Sequence, residues 1–201
     1  MPPDLSNATP YEIIAAPFTI YLAPVGTAFP PIDVEPDGDW TKVGVSGDRN
    51  YTEEGVKVSN PQTIAKFKSA GSTGARKAWR TDEELMISFE LADMTLEAWK
   101  IALNGNVVTN ESGAPRKIGM TRGRSVTQYS LIARGPSPYG DDFAMQYEVP
   151  VCIQTGNPEP VKKKDQAAAL ALQFEALEDP NATSDDERFG RIVAQDSVSD
   201  T

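Results

Sequence analysis

Three stretches of the chain alternate between apolar and polar positions with a period of two residues. In residues 83–91 the apolar positions are odd-numbered and form the set Leu85, Ile87, Phe89 and Leu91. Residues 143–153 and 169–177 repeat this pattern. Because successive side chains of a β-strand point to opposite faces, each stretch predicts a strand with one face in the core and one mostly in water.

Weaker patterns and one helix complete the predicted elements. Further strands are expected at 18–23, 40–45, 53–59, 62–68, 116–121 and 125–134. A helix is expected over about 95–104, capped by Asp93 or Thr95, with a buried stripe formed by Leu96, Trp99, Ala102 and Leu103. Many strands with a single helix predict a mainly β fold, an antiparallel β-sandwich or barrel flanked by one α-helix, rather than an α/β fold.

The two ends of the chain are predicted to be extended arms on a β domain of residues 18–180. Eight of the sixteen prolines fall within the first 36 residues, and proline fixes φ and lacks an N–H, so residues 1–17 are expected to form an extended N-terminal arm. Residues 181–201 are expected to form an acidic C-terminal arm. A purely solvating tail needs no apolar cluster, so we expect this arm to dock through the cluster that interrupts it: Phe189, Ile192 and Val193.

The composition excludes most classes of catalytic site. The 201 residues include no histidine and a single cysteine, Cys152, which excludes histidine-based catalysis, an internal disulfide and a thiolate zinc site. Cys152 falls on the more polar face of its predicted strand with no nearby histidine cation, which indicates an inert thiol. Doubled carboxylates such as Asp82 with Glu83 are interpreted as solvated charge. We therefore expect no enzyme, no cofactor and no metal.

The net charge of −10 also limits the partners. A general nucleic-acid coat or a membrane-surface protein carries net positive charge, so both classes are disfavoured. The first residues show no basic and apolar pattern of a secretory signal, and no apolar run is long enough to span a bilayer. We expect a protein that folds in a cytoplasm and contacts no membrane.

Opposite charges are concentrated in separate stretches of the chain. Residues 65–80 carry five basic side chains and no acidic one: Lys66, Lys68, Arg76, Lys77 and Arg80. Residues 31–54 carry seven acidic and two basic side chains, a net charge of −5. Two interpretations remain open. Either the charges pair within one chain or are solvated, or a basic loop of one copy meets an acidic surface of the next, a type of contact that generates rings and filaments.

The order of these elements resembles that of a known family. Residues 40–105 contain WTKVGVSGDRNYTEEGVKV, the basic stretch TIAKFKSAGSTGARKAWRTDEE, the strand ELMISFELADMT and the helix LEAWKIALNG. Later in the chain, VPVCIQTGNPEPVKKKDQAAALALQFEALED is similar to paired closing strands. Together these segments resemble the major tail tube proteins of long-tailed, siphovirus-type bacteriophages, in a minimal form without an immunoglobulin-like domain, over about residues 18–195.

The resemblance implies a structural protein of the virion tail that is assembled in the cytoplasm of a host bacterium. Six copies would form a ring, and stacked rings would form the tube that conducts DNA during genome ejection. A long basic loop at about 66–80 would reach the neighbouring ring, and both arms would contact adjacent subunits. The implied partners are further copies of this chain, a tape measure protein inside the tube, tail terminator and distal tail proteins at its ends, and double-stranded DNA in transient, non-specific passage.

The polar faces of the predicted strands supply candidates for the inner wall of such a tube. A wall that lets DNA pass must not bind phosphates, as lysine and arginine do. The candidate lumen-facing residues are Glu84, Ser88, Glu90, Gln146 and Glu148. The same alternation also fits an outer sheet that faces bulk solvent, so both placements remain open.

Other functions fit parts of the pattern. Another ring-forming tail component, such as a terminator, or a secretion-tube protein would belong to the same broad class of ring-forming tube proteins. A carbohydrate-binding β-sandwich is less favoured, because it needs exposed aromatic residues on one face and Trp40, Trp79 and Trp99 are scattered. A glycoside hydrolase built on two carboxylates is the least favoured alternative.

Overall fold

The computed structural model describes residues 16–165 and 167–196, so the predicted N-terminal arm lies almost wholly outside the described residues. The elements follow in the order β1 (Thr19–Pro24), β2 (Thr41–Lys42), β3 (Lys57–Ser59), β4 (Gln62–Phe67), β5 (Lys77–Glu83), β6 (Met86–Leu91), α1 (Leu96–Ala102), β7 (Val108–Thr109), β8 (Lys117–Ile118), β9 (Gln128–Ser137), β10 (Gly140–Gln154), β11 (Leu170–Ala176) and β12 (Arg191–Ala194). Short 3-10 helices lie at Gly47–Asn50 and Asp185–Glu187. Within these ranges, no helix has the length and apolar character that crossing a membrane requires.

Eight strands form one large sheet. Their order is β2–β1–β9–β10–β11–β6–β3, and β12 pairs with β10 as well. Two small sheets stand apart, β4 with β5 and β7 with β8. Every pairing among the described strands is antiparallel. The predicted mainly β, antiparallel fold with one α-helix is confirmed for this part of the chain.

The large sheet curls around a single main core. Alternate residues of β6 and β11 point inward and are almost fully buried: Ile87, Phe89, Leu91, Leu170, Leu172 and Phe174. Tyr51 joins the two ends of the sheet, because it bridges Leu91 of β6 while its hydroxyl accepts from the Ile20 N–H of β1 (3.0 Å) and donates to the Val43 carbonyl (2.9 Å). Burial raises the pKa of Tyr51, so this hydroxyl stays a donor.

Helix α1 packs on this core through small side chains. Ala98 and Ala102 are buried, which lets the helix backbone approach the sheet closely. The Thr95 hydroxyl accepts from the Ala98 N–H (3.2 Å), so Thr95 rather than Asp93 is the N-cap. Of the predicted buried stripe, Ala102 and Leu103 are buried, whereas Leu96 and Trp99 are only half-buried; Ala98 is buried in addition.

A β-bulge in β10 reverses the predicted orientation of Cys152. Val149 pairs with Leu131 of β9, whereas Cys152 pairs with Tyr129, so β10 uses three residues where β9 uses two. Pro150 lies in this bulge, where its missing N–H costs no ladder hydrogen bond. Cys152 is therefore 1% exposed in the main core instead of lying on the polar face, and burial raises the pKa of its thiol.

The weaker predicted strands are shorter than expected. Those at 40–45, 53–59 and 116–121 shrink to β2, β3 and β8. Gly44 and Gly55 have φ values of +79° and +65°, which a strand does not contain. These left-handed turns end the extended backbone of the first two stretches.

Candidate assembly site

The hairpin β4–β5 extends from an edge of the main sheet as a continuation of β3 and β6. Beyond the paired ends of β3 and β6, the Glu84 N–H donates to the Pro61 carbonyl (3.1 Å), and Gln62 then pairs with Glu83. From there β4 and β5 pair only with each other. The stretch predicted as a long basic loop at about 66–80 therefore begins and ends within paired strands, and residues 68–76 form the connection between them.

Large apolar side chains are exposed on this hairpin. Ile64, Phe67 and Trp79 are 46%, 53% and 48% exposed. The cross-strand pairs Phe67–Lys77 and Ala65–Trp79 place both aromatic rings on the same face, because directly opposed residues of an antiparallel pair share a face. This surface, with Phe67, Trp79 and Lys77, is called the aromatic face of the hairpin below.

These exposed apolar residues are not among the predicted site residues. Only the cations of the stretch were predicted to form a contact, and its apolar residues were expected at ordinary strand or loop positions. The sequence does contain a signal of this exposure. A strand that packs on a core has apolar residues on one face and polar residues on the other. In QTIAKF and KAWRTDE the cations fall among the apolar residues on both faces, so neither face suits a core.

The five cations predicted for inter-ring contact are all exposed on this hairpin: Lys66, Lys68, Arg76, Lys77 and Arg80. Arg80 is tied within the hairpin, since its guanidinium lies 3.2 Å from the Glu83 carboxylate and donates to the Gln62 side-chain oxygen (3.0 Å). The other four form no ion pair with any described residue. A solvated charge cluster is therefore available to a partner.

The acidic stretch 31–54 has its own internal contacts. The Glu35 carboxylate accepts from the Lys42 ammonium (3.2 Å) and from the Tyr21 hydroxyl (3.1 Å). The hydrogen bond from Lys42 holds the pKa of Glu35 below its usual value. Within the described ranges no ion pair joins this stretch to residues 65–80, so the structure gives no support to pairing of the two stretches inside one chain.

Three of the five predicted lumen-facing residues lie on or beside an open polar face of the sheet. Ser88 and Glu90 are half-buried on the outward side of β6, and Glu84 is half-buried just before that strand. Glu175 of β11 and Lys57 of β3 lie on the same face, since they are opposite Met86 and Ser88 in the strand register. This face is polar and mixed in charge, with carboxylates in the majority among these residues.

The other two predicted lumen-facing residues are buried, and their assignment is corrected. Gln146 and Glu148 are 0% and 3% exposed. The Gln146 amide donates to the Pro30 carbonyl (3.2 Å) and to the Glu148 carboxylate (2.5 Å), which also accepts from Arg191 (2.6 Å). Side chains covered in this way by the chain itself do not line a water-filled bore.

Arg134 anchors the proline-rich segment of residues 25–40 over the same part of the sheet. Its guanidinium donates to the carbonyls of Ile32 (2.8 Å) and Val34 (2.8 Å) and to the side-chain oxygen of Gln146 (3.1 Å). A second, smaller core lies beside this network: Tyr21, Ala23, Trp40 and Ile132, with Phe29 packed against them. The segment thus covers the outer face of β1, β9 and β10.

The predicted docking cluster of the C-terminal arm contacts this chain's own sheet. Ile192 and Val193 lie in β12, which pairs with β10, and Phe189 packs against the main core. Gly190 has a φ of +133° and approaches the Glu148 carbonyl so closely that a Cβ would collide with it, so glycine is needed where the arm joins the sheet. Ile192 remains 60% exposed.

The described residues hold no assembled metal site. Among them, no group of three histidine, cysteine, aspartate or glutamate side chains is arranged to hold a metal ion. The absence of enzymatic activity stays a prediction. Two buried side-chain oxygens of the described residues lack a hydrogen-bond partner, the Oγ1 of Thr52 and the Oδ1 of Asp93, and desolvation raises the pKa of the Asp93 carboxyl.

Comparison with known proteins does not assign the chain to a family. No family model matches it, and no curated protein matches it. A chain in the solved structure described as "Cryo-EM structure of the anti-feeding prophage (AFP) baseplate, 6-fold symmetrised" is similar over 94% of this chain and 97% of that chain, at 6% identity and a TM-score of 0.48. Similarity at this level establishes neither a shared fold nor a shared function, so the function is inferred from the residues themselves.

Proposed function

We propose that this chain is a structural subunit of a bacteriophage tail, of the major tail tube type, whose copies form hexameric rings that stack into a hollow tube. The observation that carries the proposal is the projecting hairpin β4–β5, which exposes two aromatic rings and a cluster of cations. The order of elements over residues 40–105, which resembles the tail tube family, favours further copies of this chain as its partner.

The hairpin has a physical reason to seek a partner. An isolated two-stranded hairpin is marginally stable in water, and apolar patches rimmed by polar residues mark interaction sites on proteins. A hairpin of one copy that enters a different surface of the next makes a heterologous contact. Such contacts close into rings or continue as helical stacks, and a tail tube needs both.

The open polar face suits the inner wall of the tube. Glu84, Ser88 and Glu90 lie on or beside this face, with Glu175 nearby. Carboxylates repel the phosphates of passing DNA, whereas a wall of lysine and arginine would bind them and slow the passage. In this proposal Lys57 is tolerated because acidic neighbours outnumber it.

The same proposal covers the other predicted partners. A tape measure protein would occupy the bore before DNA, and tail terminator and distal tail proteins would bind the two ends of the tube. The chain would need no cofactor, metal or catalytic residue for this role. Its chemistry would consist of burying apolar surface and matching charge between copies.

Negative-stain electron microscopy of the purified full-length chain tests the proposal. We expect rings with sixfold symmetry and tubes built from them, with light scattering giving masses that grow with concentration. A chain that stays monomeric at the highest soluble concentration would overturn the proposal. Closed rings that never stack would instead favour a terminator-like component, and binding on a glycan array without assembly would favour a carbohydrate-binding module.

A further inference from the structure

An apolar groove lies between helix α1 and the β1–β2 edge of the sheet. It has a volume of about 630 Å³. Its apolar lining is drawn from all of the surrounding elements: Leu22, Val43, Val45, Ala98, Ile101 and Tyr129. Val45 is 86% exposed at this groove, an unusual degree for a large apolar residue.

A carboxylate with one unpaired oxygen lies in the wall of this groove. Asp93 lines the groove, and its Oδ1 is buried without a hydrogen-bond partner. Leaving a buried polar atom unpaired costs stability in the isolated subunit. No described residue donates to this oxygen, so the carboxylate has capacity for a donor supplied by a second copy.

Two of the four other charged residues of the groove are paired outside it. Lys42 is bound to Glu35, and Glu97 is bound to Arg116. The other charged lining residues are Asp39 and Lys100. With Asp93, the groove therefore presents two carboxylates and one ammonium group outside these ion pairs, a slight excess of negative charge.

The aromatic face of the hairpin has the complementary chemistry. It carries Phe67 and Trp79, both about half exposed, beside the cation Lys77. No hairpin residue lines the groove within one chain. The aromatic face and the groove therefore do not contact each other in a single copy, and both are available to bind a second copy.

We propose that the groove between α1 and the β1–β2 edge of one copy receives the aromatic face of the hairpin of a second copy, with the ammonium of Lys77 bound to the carboxylate of Asp93. This inference rests on the proposed tube-forming function and names the receptor of its main contact. The contact joins two different surfaces, so in a pair of copies one hairpin and one groove stay free. Each of them can bind a further copy.

Cross-linking between two variants that each carry one added cysteine tests this contact. Val45→Cys labels the groove, and Ala65→Cys labels the aromatic face, because Ala65 is opposite Trp79. The native Cys152 is buried and does not compete. The two variants are purified separately, mixed under assembly conditions and treated with a short bismaleimide. The matched control replaces Val45→Cys with Val161→Cys, an exposed apolar position outside the groove.

We expect cross-linked dimers from the Val45→Cys and Ala65→Cys mixture and several-fold fewer from the control mixture. Tubes that form without this excess would overturn the groove contact and leave the tube function standing. If neither tubes nor cross-links form, the proposed function fails together with the contact. Cross-linked pairs without tubes would support the contact and overturn the tube.

Charge variants test the pairing of Asp93 with Lys77. Asp93→Asn and Lys77→Asp are each expected to lower the cross-linking yield several-fold, and Asp93→Lys with Lys77→Asp in one chain is expected to restore it. Circular dichroism checks that every variant is folded. If folded Asp93→Asn and Lys77→Asp proteins cross-link as well as the parent, the ion pair is refuted.

Discussion

Replacement of the two aromatic residues of the hairpin separates assembly from folding. Phe67→Thr with Trp79→Thr removes both rings, while threonine keeps the strand preference of these positions. Both side chains are about half exposed in the single chain, and they belong to neither of its two cores. Exposed substitutions of this kind usually change the free energy of unfolding by less than about 0.5 kcal/mol.

The effect on assembly is expected to be much larger. Full burial of a large apolar side chain contributes about 1.5–3 kcal/mol relative to full exposure. About half of each ring is still exposed in the single chain, so docking adds about half of this value for each, or about 1.5–3 kcal/mol for the pair. Since about 1.4 kcal/mol is a factor of ten, the concentration needed for assembly should rise about ten- to hundred-fold.

Sedimentation of assembled material over a dilution series measures this concentration, and thermal unfolding measures the stability of the subunit. Met120→Thr with Val161→Thr is the matched control, because both positions are exposed apolar residues outside the hairpin. We expect the control to assemble like the parent. If the hairpin variant also assembles at the parent's concentration, the hairpin is not the assembly contact. If the hairpin variant is unfolded, the two rings contribute to the fold of the single chain and are not simply exposed.

Four further changes test other features of the fold. Arg134→Met should lower the free energy of unfolding by about 2–4 kcal/mol, because charged hydrogen bonds contribute about 1.5–3 kcal/mol each and only some of its acceptors can turn to water; urea denaturation that shows no loss would contradict the anchoring of residues 25–40. Arg191→Ala should lower the free energy of unfolding by about 1–3 kcal/mol, which is less than for a fully buried ion pair because the guanidinium is half exposed. Adding Glu148→Gln to the same chain should recover part of this loss in a double-mutant cycle. Cys152 should react with a thiol reagent only on unfolding, since burial raises its pKa; rapid labelling of the native subunit would place it elsewhere. Glu90→Lys tubes should retain double-stranded DNA at low salt more than the parent tubes do, and equal retention would remove this residue from the bore.

The strongly alternating stretches could be predicted because their pattern is local. The strands β6 and β11 follow directly from residues that alternate between core and solvent, and the residue types before the helix limited its cap to Asp93 or Thr95, of which Thr95 is the cap. Such features depend on neighbours within a few positions. Sequence alone therefore specifies them well.

The misplaced residues depend on partners far along the chain. Alternation assigned Gln146 and Glu148 to the correct face, but it could not show that Pro30 and Arg191, more than forty positions away, cover that face. Cys152 was misplaced because one extra residue in a bulge exchanges the two faces of a strand. Of the hairpin, β4 was predicted as a weak strand at 62–68, whereas β5 was missed because neither face of the hairpin meets a core and no clear alternation marks Lys77–Glu83.

The two halves of the sheet's outer face explain why one chain shows both tight internal cover and exposed apolar residues. Over β1, β9 and β10 the chain covers itself with residues 25–40 and β12, and the charges there are paired or hydrogen-bonded. Over β3, β6 and β11 outward residues such as Ser88, Glu90 and Glu175 are only half-buried by the described part of the chain, and from this half the hairpin extends beyond the sheet. If one surface both stabilised the fold and bound a neighbour, binding the neighbour would require that surface to lose its internal contacts. In the proposed tube, division of the sheet into a closed half and an open half would let the subunit fold first and assemble afterwards through contacts that its own stability does not require.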